Sequence, residues 1–142
     1  MHRLAAIVFV LAWLSPSAQE SSTLKKILAT GRISLGYREA EPPFSYKTPD
    51  GKIIGFSMDL CNHVVEAVRQ HLKLDTLQID YVAATSATRF VLVKSGKIDI
   101  ECAATTNNAE RQKQVWFTNS HFLTASRYVT KKASKINSID DL

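Results

Sequence analysis

The chain has 142 residues, 45% of them hydrophobic and 22% charged, with a formal net charge of +5. That balance excludes wholesale disorder, and five Gly with four Pro exclude a collagen-like or low-complexity chain. The length suits one domain of about 100 to 150 residues. The basic residues are scattered apart from Lys131-Lys132 and lack interleaved aromatics, the pattern of a solvated surface rather than a nucleic-acid site. A modest positive field still helps draw in a small anion.

Residues 1–18 read as a secretory signal peptide. Met1-His2-Arg3 is basic, Leu4 to Leu14 is unbroken apolar sequence, and Ser15-Pro16-Ser17-Ala18 follows with small residues and a helix breaker. The apolar run covers only about half of a ~30 Å hydrocarbon core, too little for a spanning helix. Export places Cys61 and Cys102 in an oxidising compartment. Pairing with each other, burial as free thiols, and pairing elsewhere are all open. Because nothing in the sequence fixes their separation, buried free thiols are the leading expectation.

Ser22 is expected to cap a helix from Thr23 to Ala29, with Leu24, Ile27 and Leu28 inward and Gly31 as the stop. Arg32 to Tyr37 alternates polar and apolar residues, a strand that Glu41-Pro42-Pro43 breaks. Phe44-Ser45-Tyr46 and Lys52 to Gly55 flank Thr48-Pro49-Asp50-Gly51, which reads as a hairpin. Phe44 and Tyr46 suit the core of that hairpin better than a ligand platform. Ser57 is expected to cap the longest helix, to about Leu72, with Cys61, Val64, Val65, Val68 and Leu72 in one stripe. A strand with Leu77, Ile79 and Tyr81 follows, then a helix from Ser86 to Ser95, then a strand from Ile98 to Cys102.

This alternation predicts an α/β fold of βαβ units with parallel strands. Asn107-Asn108-Ala109-Glu110 reads as a capping box opening a short helix to Gln114. Val115-Trp116-Phe117 and Ser126 to Lys131 are further strand candidates, and Ser138 to Leu142 reads as the first turn of a helix.

Ligands of open α/β sheets sit beyond the carboxyl ends of the strands. Arg38, Arg89 and Arg111 fall there, with the hydroxyls of Thr85, Ser86, Thr105 and Thr106 in the same loops. Guanidinium forks match carboxylates bidentately, so three around one cleft suit a di-anionic small molecule. The plainer readings are solvated surface arginines, with Ser86 and Thr106 as helix caps.

Four segments in order carry a resemblance: Gly36 to Tyr46 (GYREAEPPFSY), Gly55 to Leu60 (GFSMDL), Thr85 to Arg89 (TSATR) and Asp99 to Arg111 (DIECAATTNNAER). Together they resemble the N-terminal part of family 3 extracellular solute-binding proteins, receptors of polar amino acid ABC transporters. Cys102 and the TTNNxERQ run from Thr105 to Gln112 look most like the glutamate/aspartate-binding branch. The resemblance implies a periplasmic binding protein type II lobe, a parallel-dominated sheet with flanking helices, truncated. Residues 22–125 would be the first pass of lobe 1, and residues 126–142 a crossover and an incomplete start of lobe 2.

It also implies that Arg111, aided by Thr106, holds a ligand's α-carboxylate, while Arg38 and Arg89 face the side-chain carboxylate with Ser86 alongside. The implied partners are an acidic amino acid and the membrane permease of an ABC importer. The protein would be a periplasmic monomer that uses no cofactor or metal and binds no nucleic acid. One departure is Ala104, where the branch usually has Ser; losing a hydroxyl bond to a charged group costs about 1.5–3 kcal/mol. The acid that pairs with the ligand's ammonium would come from the second lobe, so the chain by itself is expected to bind glutamate very weakly or not at all.

Catalysis finds little support. Cys61 and His63 sit about 200° apart on one helix, and His2, His63, His71 and His121 have no metal-ligand spacing. Ser22 to Lys25 matches SxxK, but Ser22 serves better as a cap, and Glu101, an acid at a strand end, reads as solvated rather than as a general base. The alternatives to a receptor are an enzyme on the same scaffold, such as a cyclohexadienyl dehydratase, and a non-functional remnant.

Overall fold

The computed structural model describes residues 22–141 except 126, 128 and 137, so the expected signal peptide lies outside the described residues. The chain forms two compact units that meet in sequence between Ala104 and Thr105. In the first, the elements run α1 (Ser22–Thr30), β1 (Arg32–Tyr37), β2 (Ala40–Glu41), β3 (Ser45–Lys47), β4 (Ile53–Ile54), α2 (Phe56–His71), β5 (Gln78–Ala83), α3 (Arg89–Lys94) and β6 (Ile100–Glu101).

Strand β1 is central, with β5 and β6 parallel on either side. Its Ile33, Leu35 and Tyr37 are buried, as the alternation predicts, and they pack against Ile27, Met58, Cys61, Val65 and Leu72. Gly36 is also buried, because a Cβ there would run into the Ile98 side chain. Both faces of the strand are therefore covered, as parallel strands require. Asp99 ties α1 to this sheet: its carboxylate accepts from Lys26 Nζ at 2.7 Å and from the Ser34 amide at 2.9 Å. The buried charge is thereby paired and hydrogen-bonded.

The expected hairpin forms, β3 against β4. Its turn is closed by the Thr48 amide on the Lys52 carbonyl at 2.8 Å, with Gly51 at φ 87°. The sequence reading missed β2, which adds a third antiparallel strand on β3.

Ser22 lies inside α1 rather than capping it, and Leu28 faces outward at 48% exposure. Helix α2 is capped by Gly55, not Ser57. Gly55 has φ 134°, and a Cβ there would strike the Phe44 carbonyl and the Ser45 amide. Only glycine fits where the hairpin turns straight into the helix. Ser57 is freed from capping and buried, donating to the Ala103 carbonyl at 3.0 Å. Along α2 the buried stripe includes Met58, while Val64 is largely exposed.

The expected helix from Ser86 is replaced by a turn in which Thr85 and Thr88 hydroxyls bond each other and each other's amides, so α3 starts at Arg89. Hydroxyls competing for backbone donors explain the late start. Strand β5 forms as expected, with Tyr81 on it 44% exposed.

The free-thiol expectation is wrong: Cys61 and Cys102 form a disulfide. Cys61 faces the core from the second turn of α2, and Cys102 follows β6 directly, bringing their Cα atoms to 6.2 Å. That separation lies in the bridging range, which sequence alone could not supply.

In the second unit, α4 (Ala109–Gln112) is capped by Asn108, whose Oδ1 accepts from the Arg111 amide at 3.0 Å, and it ends before the expected Gln114. Val115 to Phe117 forms no strand, and neither do the described residues between 126 and 131. A strand needs a hydrogen-bonded neighbour, and no described segment pairs with either stretch. The expected helix start at Ser138 appears as a 3-10 turn, Ile139–Asp141, with the Asp141 carboxylate accepting from the Ser138 amide at 2.8 Å. Leu142 is outside the described residues.

Candidate functional site

The parallel register brings three chain segments to one sheet edge. Tyr37 pairs with Ala83, and Gly36 with Glu101, so β1, β5 and β6 end together. The Ala84 amide then donates to the Tyr37 carbonyl, and the Cys102 amide to the Gly36 carbonyl, both at 2.8 Å. Arg38, the Ala84 to Arg89 turn and the Cys102 to Ala104 segment all leave from this carboxyl edge, where the general rule for α/β sheets puts a ligand.

Arg38 is fixed at both ends. Its amide donates to Oγ of the fully buried Ser45 at 2.9 Å, and its Nη2 donates to Ser86 Oγ at 3.0 Å. Its Nη1 is buried and has no acceptor among the described residues. Leaving a buried charged donor unsatisfied is costly, and a carboxylate arriving at this fork would satisfy it. Ser86, read as a possible cap, is instead the hydroxyl that orients the guanidinium.

Arg89 opens α3 and is only 9% exposed. Its guanidinium carbon lies 5.1 Å from the centroid of the Phe90 ring, and its amide donates to the Thr85 carbonyl at 3.1 Å. The plain reading of Arg89 as a solvated surface residue does not hold. The first unit thus brings Arg38 and Ser86 into direct contact and sets Arg89 in the same turn as Ser86.

Three other cations of this unit, Arg32, Arg69 and Lys26, are committed to acids. Arg32 bonds the Asp80 carboxylate across β1 and β5, and this hydrogen bond holds Asp80 below the usual carboxylate range. Arg69 bonds Glu66 at 2.7 Å, and that bond, with a second from Gln70, pulls Glu66 down to about 2. Lys26 is held by Asp99. Arg38 has no such acidic partner among the described residues, which leaves its charge for something else.

In the second unit, Arg111 is anchored through its amide on Asn108 and through Nη1, which donates to the Thr106 carbonyl at 2.9 Å. The resemblance gave Thr106 a ligand role; its carbonyl here orients the arginine. An open depression of about 340 Å³ in this unit is lined by Asn107, Gln112, Val115, Trp116 and Phe117, and neither Thr106 nor Arg111 lines it. Among the described residues no group of three or more His, Cys, Asp or Glu is placed to hold a metal, and no helix is long and apolar enough to cross a membrane.

Sequence reasoning missed the support behind this edge. Ser45 holds the Arg38 backbone, Ser57 holds the Ala103 carbonyl, and Glu41 accepts from the Ala104 amide at 3.0 Å. The disulfide anchors Cys102 next to them. The Gly55-Phe56-Ser57 run was the available signal, since a glycine before a long helix already offered another cap.

The first unit is thus a parallel α/β sheet with flanking helices that carries Arg38 at its carboxyl edge. The family profile of the bacterial extracellular solute-binding proteins, family 3, matches residues 33–139, and the chain belongs to that family. It is 50% identical over 139 residues to an L-glutamate/L-aspartate-binding protein of Pseudomonas aeruginosa, covering 96% of this chain and 46% of that one. A glutamate/aspartate import solute-binding protein of Escherichia coli is 42% identical over 121 residues, with 85% and 40% covered. The chain therefore spans less than half the length of these relatives.

Among solved structures, the receptor for L-cysteine of Neisseria gonorrhoeae superposes with a TM-score of 0.60 at 28% identity, covering 69% of this chain and 38% of that one. An ancestral amino acid-binding protein described as a precursor of cyclohexadienyl dehydratase gives a TM-score of 0.56 at 27% identity, with 66% and 38% covered.

Proposed function

We propose that this chain is the first ligand-gripping part of a receptor that binds glutamate or aspartate in the periplasm and delivers it to the membrane permease of an ABC importer, without catalysis. The observation that carries this reading is the Arg38 fork, held by Ser86 and Ser45, with Nη1 buried and no acceptor among the described residues. The names of the glutamate- and aspartate-binding relatives support the ligand class.

In this reading Arg38, Ser86 and Arg89 receive the side-chain carboxylate, and Arg111 with Thr106 receives the α-carboxylate. Residues 22–125 are the first pass of lobe 1 and residues 126–142 the passage into a second lobe. That lobe closes over the ligand and excludes water, which raises the worth of each ion pair above the ~0–1 kcal/mol of an exposed one. The receptor acts as a monomer. The enzyme alternative has only the dehydratase-precursor likeness behind it, and that structure is itself described as amino acid-binding.

Arg38→Ala and Arg89→Ala discriminate between ligands. In calorimetric titrations of the intact protein, each should weaken glutamate by about tenfold to a hundredfold, the range for a hydrogen bond to a charged group. Glutamine, which lacks the second charge, should lose far less. Equal losses for both ligands contradict the assignment.

A further inference from the structure

We propose that Glu41 is a specificity-determining residue: its carboxylate occupies the Ala104 amide at the carboxyl edge of the sheet and sets a fixed negative charge against the second negative charge of an acidic ligand. Glu41 is held in place by its backbone. It pairs with Ser45 across β2 and β3, and its carbonyl accepts from the Phe44 amide at 2.9 Å. Ser45 is the same residue whose Oγ receives the Arg38 amide. Arg38 and Glu41 are therefore both tied to one buried serine.

The Glu41 side chain spans from β2 to the segment after β6, where its Oε2 accepts from the Ala104 amide at 3.0 Å. That peptide is otherwise fully engaged. The Ala103 carbonyl takes the Ser57 hydroxyl, and Cys102 is fixed by the disulfide and by its amide on Gly36. The Ala104 N–H is thus a rigid backbone donor aimed at an anion, and the protein supplies that anion itself.

Glu41 makes no ion pair among the described residues; its carboxylate is held on the Ala104 amide after β6, and Arg38 leaves β1 at the same carboxyl edge of the sheet. An incoming carboxylate at Arg38 meets one attractive and one repulsive charge, and the repulsion grows as the second lobe excludes water. A neutral side chain on the ligand escapes that repulsion. The arrangement narrows the advantage of glutamate over glutamine that the arginines alone would give, and it keeps ligand release feasible. A tightly gripped di-anion would otherwise leave slowly.

The ligand arm of this inference rests on the acidic-ligand reading above, so the test has an arm that needs no ligand. In the intact protein, Glu41→Gln keeps an oxygen for the Ala104 amide but removes the charge, and Glu41→Ala removes both. Amide hydrogen exchange at Ala104 should be unchanged in Glu41→Gln and at least tenfold faster in Glu41→Ala. Calorimetry should show glutamate bound about tenfold more tightly by both variants, with glutamine changed by less than about threefold, as expected for one like charge lost near the ligand. Unaltered exchange at Ala104 in Glu41→Ala overturns the contact. Equal shifts for glutamate and glutamine, or weaker glutamate binding, overturn the role in specificity. If the unsubstituted protein takes up no acidic amino acid, the exchange arm still decides the contact, and the failure belongs to the ligand assignment.

Discussion

Replacing Arg111 by Ala is expected to abolish measurable binding of every amino acid, acidic or neutral, a loss of at least about a hundredfold in Kd. The α-carboxylate is common to all of them, and a bidentate guanidinium is the strongest single contact a side chain can offer it. In the proposed role Arg111 is already oriented. The Asn108 cap fixes its amide, and the Thr106 carbonyl takes Nη1, so little side-chain freedom remains to be lost on binding. A hydrogen bond to a charged group is worth about 1.5–3 kcal/mol, and a fork of two exceeds what a hundredfold requires. Arg111→Lys keeps the charge but not the fork and should fall between. Calorimetry with glutamate and glutamine on the three proteins checks this. If Arg111→Ala loses glutamate while keeping glutamine, Arg111 serves the side-chain carboxylate and the assignment of the arginines must be exchanged.

The second large effect is on stability. Removing the Cys61–Cys102 bridge, by Cys61→Ala with Cys102→Ala, should cost about 2–4 kcal/mol of unfolding free energy. The bridge closes a loop of 41 residues, and loop closure in the unfolded chain sets the scale, with native relaxation reducing it. The loss should not be spread evenly. The bond joins α2 to the segment that carries Ala103 and Ala104, so loosening it should weaken the ligand edge before the β1 core around Leu35. Urea unfolding of the oxidised, reduced and doubly substituted proteins measures the global term, and hydrogen exchange measures the local one. A midpoint unmoved by reduction, with the bond shown to be broken, contradicts this account.

The order and type of the main elements were legible because their periodicities are strong. Ile33, Leu35 and Tyr37 alternate and are buried, and the α2 stripe of Cys61, Val65 and Leu72 faces the core. Parallel pairing followed from the strand and helix alternation. What failed were choices between local partners that only tertiary contact decides. Ser57 has the chemistry of a cap, but Gly55 takes that position because the chain leaves the hairpin against Phe44 and Ser45, and Ser57 then finds the Ala103 carbonyl. Ser86 has the chemistry of a cap too, and goes to Arg38 because Thr85 and Thr88 close the turn themselves.

That Arg38 and Ser86 stand together at the carboxyl edge of the sheet was legible because strand ends mark that edge in any open α/β sheet. The parts of Glu41 and Ser45 were not legible, since they depend on β2, two residues long and ended in sequence by Pro42-Pro43. Cysteine pairing was invisible for the same reason: the 6.2 Å between the Cα atoms exists only once α2 lies on the sheet.

The central claim is that the arginine-bearing edge recognises an acidic amino acid. Its most direct test is a calorimetric titration of the receptor with its proposed second lobe present, using glutamate, aspartate, glutamine and arginine under one buffer condition. The account predicts saturable binding of glutamate or aspartate in the micromolar range or tighter, with arginine at least a hundredfold weaker. Arginine bound as well as glutamate, or tighter, contradicts it.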